Sequence, residues 1–146
     1  MTEALGRKVP VSFWVVAGVA TAWNLIGLMI YYQQVTVTPE VLAQNFTPEQ
    51  VAFITQTPAW ATSAYAIAVN AGLLGSILLL LRKAWAIPLY AISLVAILVQ
   101  DLHGFVLADG LAVWGSGGLV LPAIVLAIAV FLLVYARNAR AGGLIS

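Results

Sequence analysis

The chain contains no cysteine. A disulfide, a thiolate nucleophile and a cysteine-based metal centre are therefore excluded. It has a single histidine, His103, so two imidazoles of one chain cannot clasp a haem. Charge is also scarce: Asp, Glu, Lys and Arg make up 8% of the residues, where a soluble domain carries about 25%. No HExxH, phosphate-binding P-loop or other glycine-rich phosphate cradle is present. No basic patch reaches the size that nucleic acid requires, so nucleic acid is not an expected partner. No nucleophile stands beside a general base, which leaves an enzyme as the weakest of the functional classes, and no cofactor is expected.

What fills the sequence instead is apolar: 63% of the residues are hydrophobic. They gather into four runs of about 20–24 residues, each enough to span a hydrocarbon core of about 30 Å. The first covers about 11–32. Ala20-Thr21-Ala22 resembles a signal cleavage site, but the apolar run continues past it, whereas signal cores stop at about 7–15 residues. A retained helix fits better, with Phe13 and Trp14 at one membrane interface and Tyr31 and Tyr32 at the other.

Residues 33–57 break the pattern with three Thr-Pro pairs, Thr38-Pro39, Thr47-Pro48 and Thr57-Pro58. Threonine before a proline at the first helical position is a helix start. Thr47 with Gln50 also has the spacing of a capping box. Two short helices are expected, about 39–45 and 48–56, and the third pair opens the second spanning helix. The short segments each have an apolar side, Val41, Leu42 and Phe46, then Val51, Phe53 and Ile54. They serve either as a connector resting on the bilayer or as a lid over a cavity.

The second spanning helix covers about 58–81. On it Ala64, Ala68, Gly72 and Ser76 recur every four residues, a spacing that lets two helix backbones approach closely. The third covers about 84–107, with Pro88 in the first turn, where a missing N–H does little harm. A loop over 108–116, marked by Asp109-Gly110 and Gly115-Ser116-Gly117, leads to a fourth helix over about 117–136. The expected fold is an all-α bundle of four transmembrane helices, one domain over 1–146. All six basic residues, Arg7, Lys8, Arg82, Lys83, Arg137 and Arg140, fall on one side of it, and Glu40, Glu49 and Asp109 on the other. By the positive-inside rule both termini are cytoplasmic and the 33–57 connector faces outward.

Depth selects the candidate ligand-binding residues. At 1.5 Å per residue, Asn24 lies about 20 Å and Asn70 about 16 Å from the cytoplasmic ends of their helices, and Gln100, Asp101 and His103 about 22–28 Å. Tyr65 shares their zone. Asp101 is the one acidic residue inside an apolar run. An ionisable group at membrane depth costs roughly 2.5–3.5 kcal/mol on insertion scales and marks a functional candidate. Gln100 and His103, three apart, share a helix face, whereas Asp101 is turned about 100° away. Asp101 and His103 converge only if Gly104 distorts the helix. The structural alternatives are plain: Asn24 and Asn70 as interhelical hydrogen-bond glue, His103 solvated, Asp101 reaching the headgroups.

One resemblance is carried by Trp23-Asn24, Tyr31-Tyr32, Pro58 with Trp60, Gly72-Leu73-Leu74-Gly75 before Leu80-Leu81-Arg82, Pro88, Ser93-Leu94, Gln100, and Tyr135-Ala136-Arg137. These residues resemble a group of small bacterial four-helix membrane proteins often labelled sugar transporters. The resemblance spans nearly the whole chain and implies a bacterial inner-membrane protein; it assigns no role to Asp101 or His103. Two functions are expected in turn. One is a transporter-like or small-molecule-binding protein with an outer-half pocket. The other is a non-catalytic accessory subunit, packed through its small-residue stripe into a homo-oligomer or larger membrane complex. The lipid bilayer is a partner in both.

Overall fold

A computed structural model describes residues 8–146, and the described residues form helices without a strand. Four of these helices are long and apolar enough to cross a membrane, which makes the chain an integral membrane protein. Helix α1 is Val11–Thr36. The short α2, Pro39–Leu42, and α3, Pro48–Thr55, follow. Helix α4 is Ala59–Leu80 and α5 is Ala86–Asp101. The chain then winds as a π turn over Leu102–Leu107 and as α6 over Gly110–Trp114. A 3-10 turn, Ser116–Leu119, leads into α7, Val120–Ala141.

Local chemistry explains the boundaries. Helix α1 runs one turn beyond the expected end at Tyr32 and stops where Thr38 must be extended ahead of Pro39. The Thr38 hydroxyl accepts from the Val41 amide at 3.4 Å. Thr47 and Gln50 form the full capping box, with bonds of 3.2 and 3.1 Å in the two directions. Thr57 does not cap α4. Its hydroxyl donates back to the Phe53 carbonyl at 2.9 Å, and Pro58 takes the cap position. Helix α7 starts three residues later than expected, after the 3-10 turn, and runs on to Ala141. Asp109-Gly110 does turn the chain, with Asp109 left-handed at φ 52°, but the loop beyond it is wound into α6.

The centre of the bundle is the α4–α5 pair. Helix α1 packs on α4, and α7 packs on α5. Ala64, Ala68, Gly72 and Ser76 are all buried inside the chain, so the small-residue stripe is filled by neighbouring helices of the same molecule. A Cβ on Gly75 would come within 3.1 Å of the Tyr90 ring, the closeness expected of such a stripe. Helices α1 and α7 meet at one end, where Phe13 stacks on Tyr135 with ring centres 6.4 Å apart. Further along, a groove of about 290 Å³ separates them, walled by side chains such as Val19, Trp23 and Phe131.

The basic residues among those described lie at one end: Lys8 ahead of α1, Arg82 and Lys83 in the α4–α5 turn, Arg137 and Arg140 near the end of α7. Arg7 lies outside the described residues. This end is sealed. Phe13, Ala17, Leu79, Ala86, Tyr90 and Ala136 pack there around Ile145, which is 2% exposed. The chain after α7 folds back to bring Ile145 in. The Ala84 amide donates to the Ser146 carbonyl at 3.0 Å, and the Ser146 amide to the Arg82 carbonyl at 3.1 Å. The Arg82 side chain donates to the Leu144 carbonyl at 2.7 Å. Elsewhere the long helices present apolar side chains outward, among them Val15, Leu25, Val95, Leu98, Leu121 and Val134. That much exposed apolar surface needs a bilayer to cover it.

Candidate functional site

The opposite end, which carries Glu40, Glu49 and Asp109, is hollow. A cavity of about 810 Å³ lies between α1, α4, α5 and α7. Its shape begins with the backbone of the third spanning segment. After Asp101 the helix widens to π geometry, closed by the Ala108 amide donating to the His103 carbonyl at 2.8 Å. Gly110 accommodates this turn. A Cβ on Gly110 would stand 2.5 Å from the Gly104 carbonyl oxygen, so α6 seats directly on the turn only because Gly110 has none. Gln100 and Asp101 at the end of α5 and His103, Gly104 and Phe105 in the π turn all line one cavity. π turns of this kind are frequent at functional sites.

Tyr65 and Thr62 of α4 face them across the cavity. Thr62 is satisfied by its own helix, donating to the Pro58 carbonyl at 3.4 Å. Gln100, Asp101 and the Tyr65 hydroxyl have no hydrogen-bond partner among the described residues, and their polar atoms are open rather than fully buried. The His103 ring meets the Trp60 ring edge-on at 5.4 Å, and the Tyr65 ring meets Tyr31 edge-on at 5.1 Å. These contacts hold both rings at the cavity wall.

The connector forms the roof. Leu42, Phe46 and Phe53 from the 33–57 segment line the cavity together with Trp114 of α6. Phe46 and Phe53 each meet the Trp114 ring edge-on, at 5.8 and 5.9 Å. Leu42 of α2 and Phe53 of α3 therefore turn toward the bundle, whereas Val41 is exposed. The capping box sets α3 so that Phe53 lies over Gly104. The segment's residues Leu42, Phe46 and Phe53 line the cavity, a position open to both expectations for it.

Two candidates lie elsewhere. Asn24 bridges the bundle centre, its amide nitrogen donating to the Ala20 carbonyl at 2.9 Å and to the Ser76 hydroxyl at 3.1 Å. Ser76 also bonds the Tyr90 hydroxyl at 2.8 Å, and nearby Ser93 donates to the Ala68 carbonyl at 2.7 Å. This satisfied network ties α1, α4 and α5 together beneath the cavity. Asn70 is on the exposed face of α4, its amide folded onto the Ala66 carbonyl at 2.8 Å. Depth along a helix is readable from a sequence, but the direction a residue faces depends on which neighbours pack there. The aromatic roof residues escaped the sequence reading as site residues. Phe46 and Phe53 had a signal, the apolar sides of the connector; Trp114, set among turn residues, had none.

Among the described residues, no group of three or more His, Cys, Asp and Glu side chains gathers as metal ligands would. Set against known protein families, curated proteins and solved structures, the chain matches none.

Proposed function

We propose that this protein binds a small molecule in the cavity between its four spanning helices, as a transporter-like or receptor-like membrane protein. The observation that carries the reading is the combination of a space of about 810 Å³ with polar groups from two helices, Gln100, Asp101 and Tyr65, that the chain leaves without partners. Small-molecule sites are typically concave, largely apolar and of about 300–1,000 Å³, with a few placed polar groups. The accessory-subunit reading loses its main support, because the stripe meant to pack on a partner is already occupied within the chain. The distribution of basic residues supports a cytoplasmic sealed end and an outward-facing roof. The resemblance to small bacterial four-helix proteins supports an inner-membrane setting.

The test uses the absence of native cysteine. Thr62→Cys, on the cavity wall, should react with a small water-soluble thiol reagent in lipid nanodiscs, and Asn70→Cys, on the outer face of the same helix, should not. A chemically diverse small-molecule library should then contain compounds that raise the melting temperature of the wild type by mass action. They should not stabilise Thr62→Trp, in which the cavity is filled. An unreactive Thr62→Cys together with a library free of stabilising compounds would sink the reading.

A further inference from the structure

The charge balance of the cavity narrows the class of ligand. Asp101 is the one formally charged residue on its wall, with His103 counted as neutral. The basic residues among those described are all at the sealed end, across the thickness of the bundle. Among the described residues no cation answers the Asp101 carboxylate, and it has no ion-pair or hydrogen-bond partner there. Aromatic rings surround the same space. Phe46 and Phe53 stand nearly perpendicular to Trp114, at 80° and 87°, so the three rings turn faces and edges in different directions around the roof. Tyr65 and Phe105 add further rings to the walls.

The geometry points to a monovalent organic cation with an apolar body, such as a quaternary or protonated amine, as the ligand. This rests on the binding reading above and names its chemical class. A carboxylate supplies the counter-charge, and ring faces attract a cation whose own hydration is weak, the arrangement used for quaternary ammonium groups. The alternatives fit less well. A divalent metal ion takes six to eight oxygen ligands or a near-ideal octahedron, and one carboxylate does not provide either. An anion would meet the like charge of Asp101 with no basic side chain to receive it. A sugar would need many more hydrogen-bonding groups than Gln100, Asp101, His103, Tyr65 and their few polar neighbours offer along walls that are otherwise apolar.

The experiment compares benzyltrimethylammonium with neopentylbenzene, in which carbon replaces the charged nitrogen and the shape is kept. Binding of each is measured by calorimetry on the full chain in nanodiscs of zwitterionic lipid, with protein-free nanodiscs as the blank. The cation should bind at least tenfold more tightly than its neutral counterpart. Asp101→Asn should remove that preference and leave the neutral compound's affinity unchanged. If Asp101→Asn does not purify as a single species, Trp114→Leu carries the test: it should weaken the cation several-fold more than the neutral compound. Equal affinity of the two probes for the wild type overturns the cation assignment and leaves the binding cavity standing. A preference that survives Asp101→Asn overturns the role of the carboxylate. If neither probe binds while library compounds do, the ligand class is wrong; if nothing binds at all, the cavity reading falls with it.

Discussion

The side-chain amide of Asn24 lies where a Cβ of Gly72 would stand. A Cβ built on Gly72 overlaps the Asn24 Oδ1 and comes within 3.3 Å of the Ser93 hydroxyl. Three helices therefore meet at a position of α4 that has no side chain. Asn24 keeps its hydrogen bonds to Ala20 and Ser76 only because Gly72 leaves it room.

Gly72→Leu should accordingly drive α1 from α4. Overpacking of this kind typically costs about 1–3 kcal/mol. Unfolding in mixed micelles should show a loss in that range, and Gly72→Ala a smaller loss of the same sign. Unchanged unfolding of both variants would mean that this face of α4 does not meet α1.

Ile145 gives a second prediction, at the sealed end. It lies in the core with Phe13, Leu79 and Ala136, held there by backbone bonds between the residues after α7 and the α4–α5 turn. Ile145→Ala should destabilise the protein by about 2 kcal/mol or more, the low end for truncating a buried isoleucine. Ile145→Asp should do worse, since an unpaired charge would be buried. Wild-type unfolding of both would show that the segment does not seat.

Orientation is tested with single cysteines on a background that has none. Glu49→Cys is preferable to a change at Gln50, whose side chain closes the capping box. In intact cells an impermeant thiol reagent should label Glu49→Cys and reach Lys83→Cys only after the membrane is opened. The opposite pattern would put the roof of the cavity in the cytoplasm.

The four spanning helices were legible because length and apolarity alone decide what crosses a bilayer. The stripe through Gly72 was legible because its period of four is fixed by helix geometry. The polar wall was legible in part. Gln100, Asp101, His103 and Tyr65 stand out at their depth, and all four line the cavity. Asn24 and Asn70 stand out equally and do not, since their bonds are decided by neighbours that periodicity does not name. The π turn was not legible, because the seat of α6 on it depends on Gly110 reaching Gly104, a contact made only once α6 has folded back. The seat of Leu144 and Ile145 was not legible, because its partner, the Arg82 turn, lies far away in sequence.

The arrangement of the long helices has a consequence for how the molecule moves. Helices α1 and α7 are each braced from one flank, α1 by α4 and α7 by α5, with an apolar groove along much of the seam between them. Lipid tails compete for such faces on nearly equal terms, because the bilayer supplies no hydrophobic drive for helices to stay together. The elements with the fewest packed neighbours open at the lowest free energy. The α4–α5 pair is then the stationary post of the structure, and α1 and α7 are its two leaves. They are pinned where Phe13 stacks on Tyr135 and free to part at the end that holds the cavity. Hydrogen exchange in nanodiscs would register this as a gradient, with amides near Ile30 and Leu121 exchanging well before those near Ala17 and Ala136.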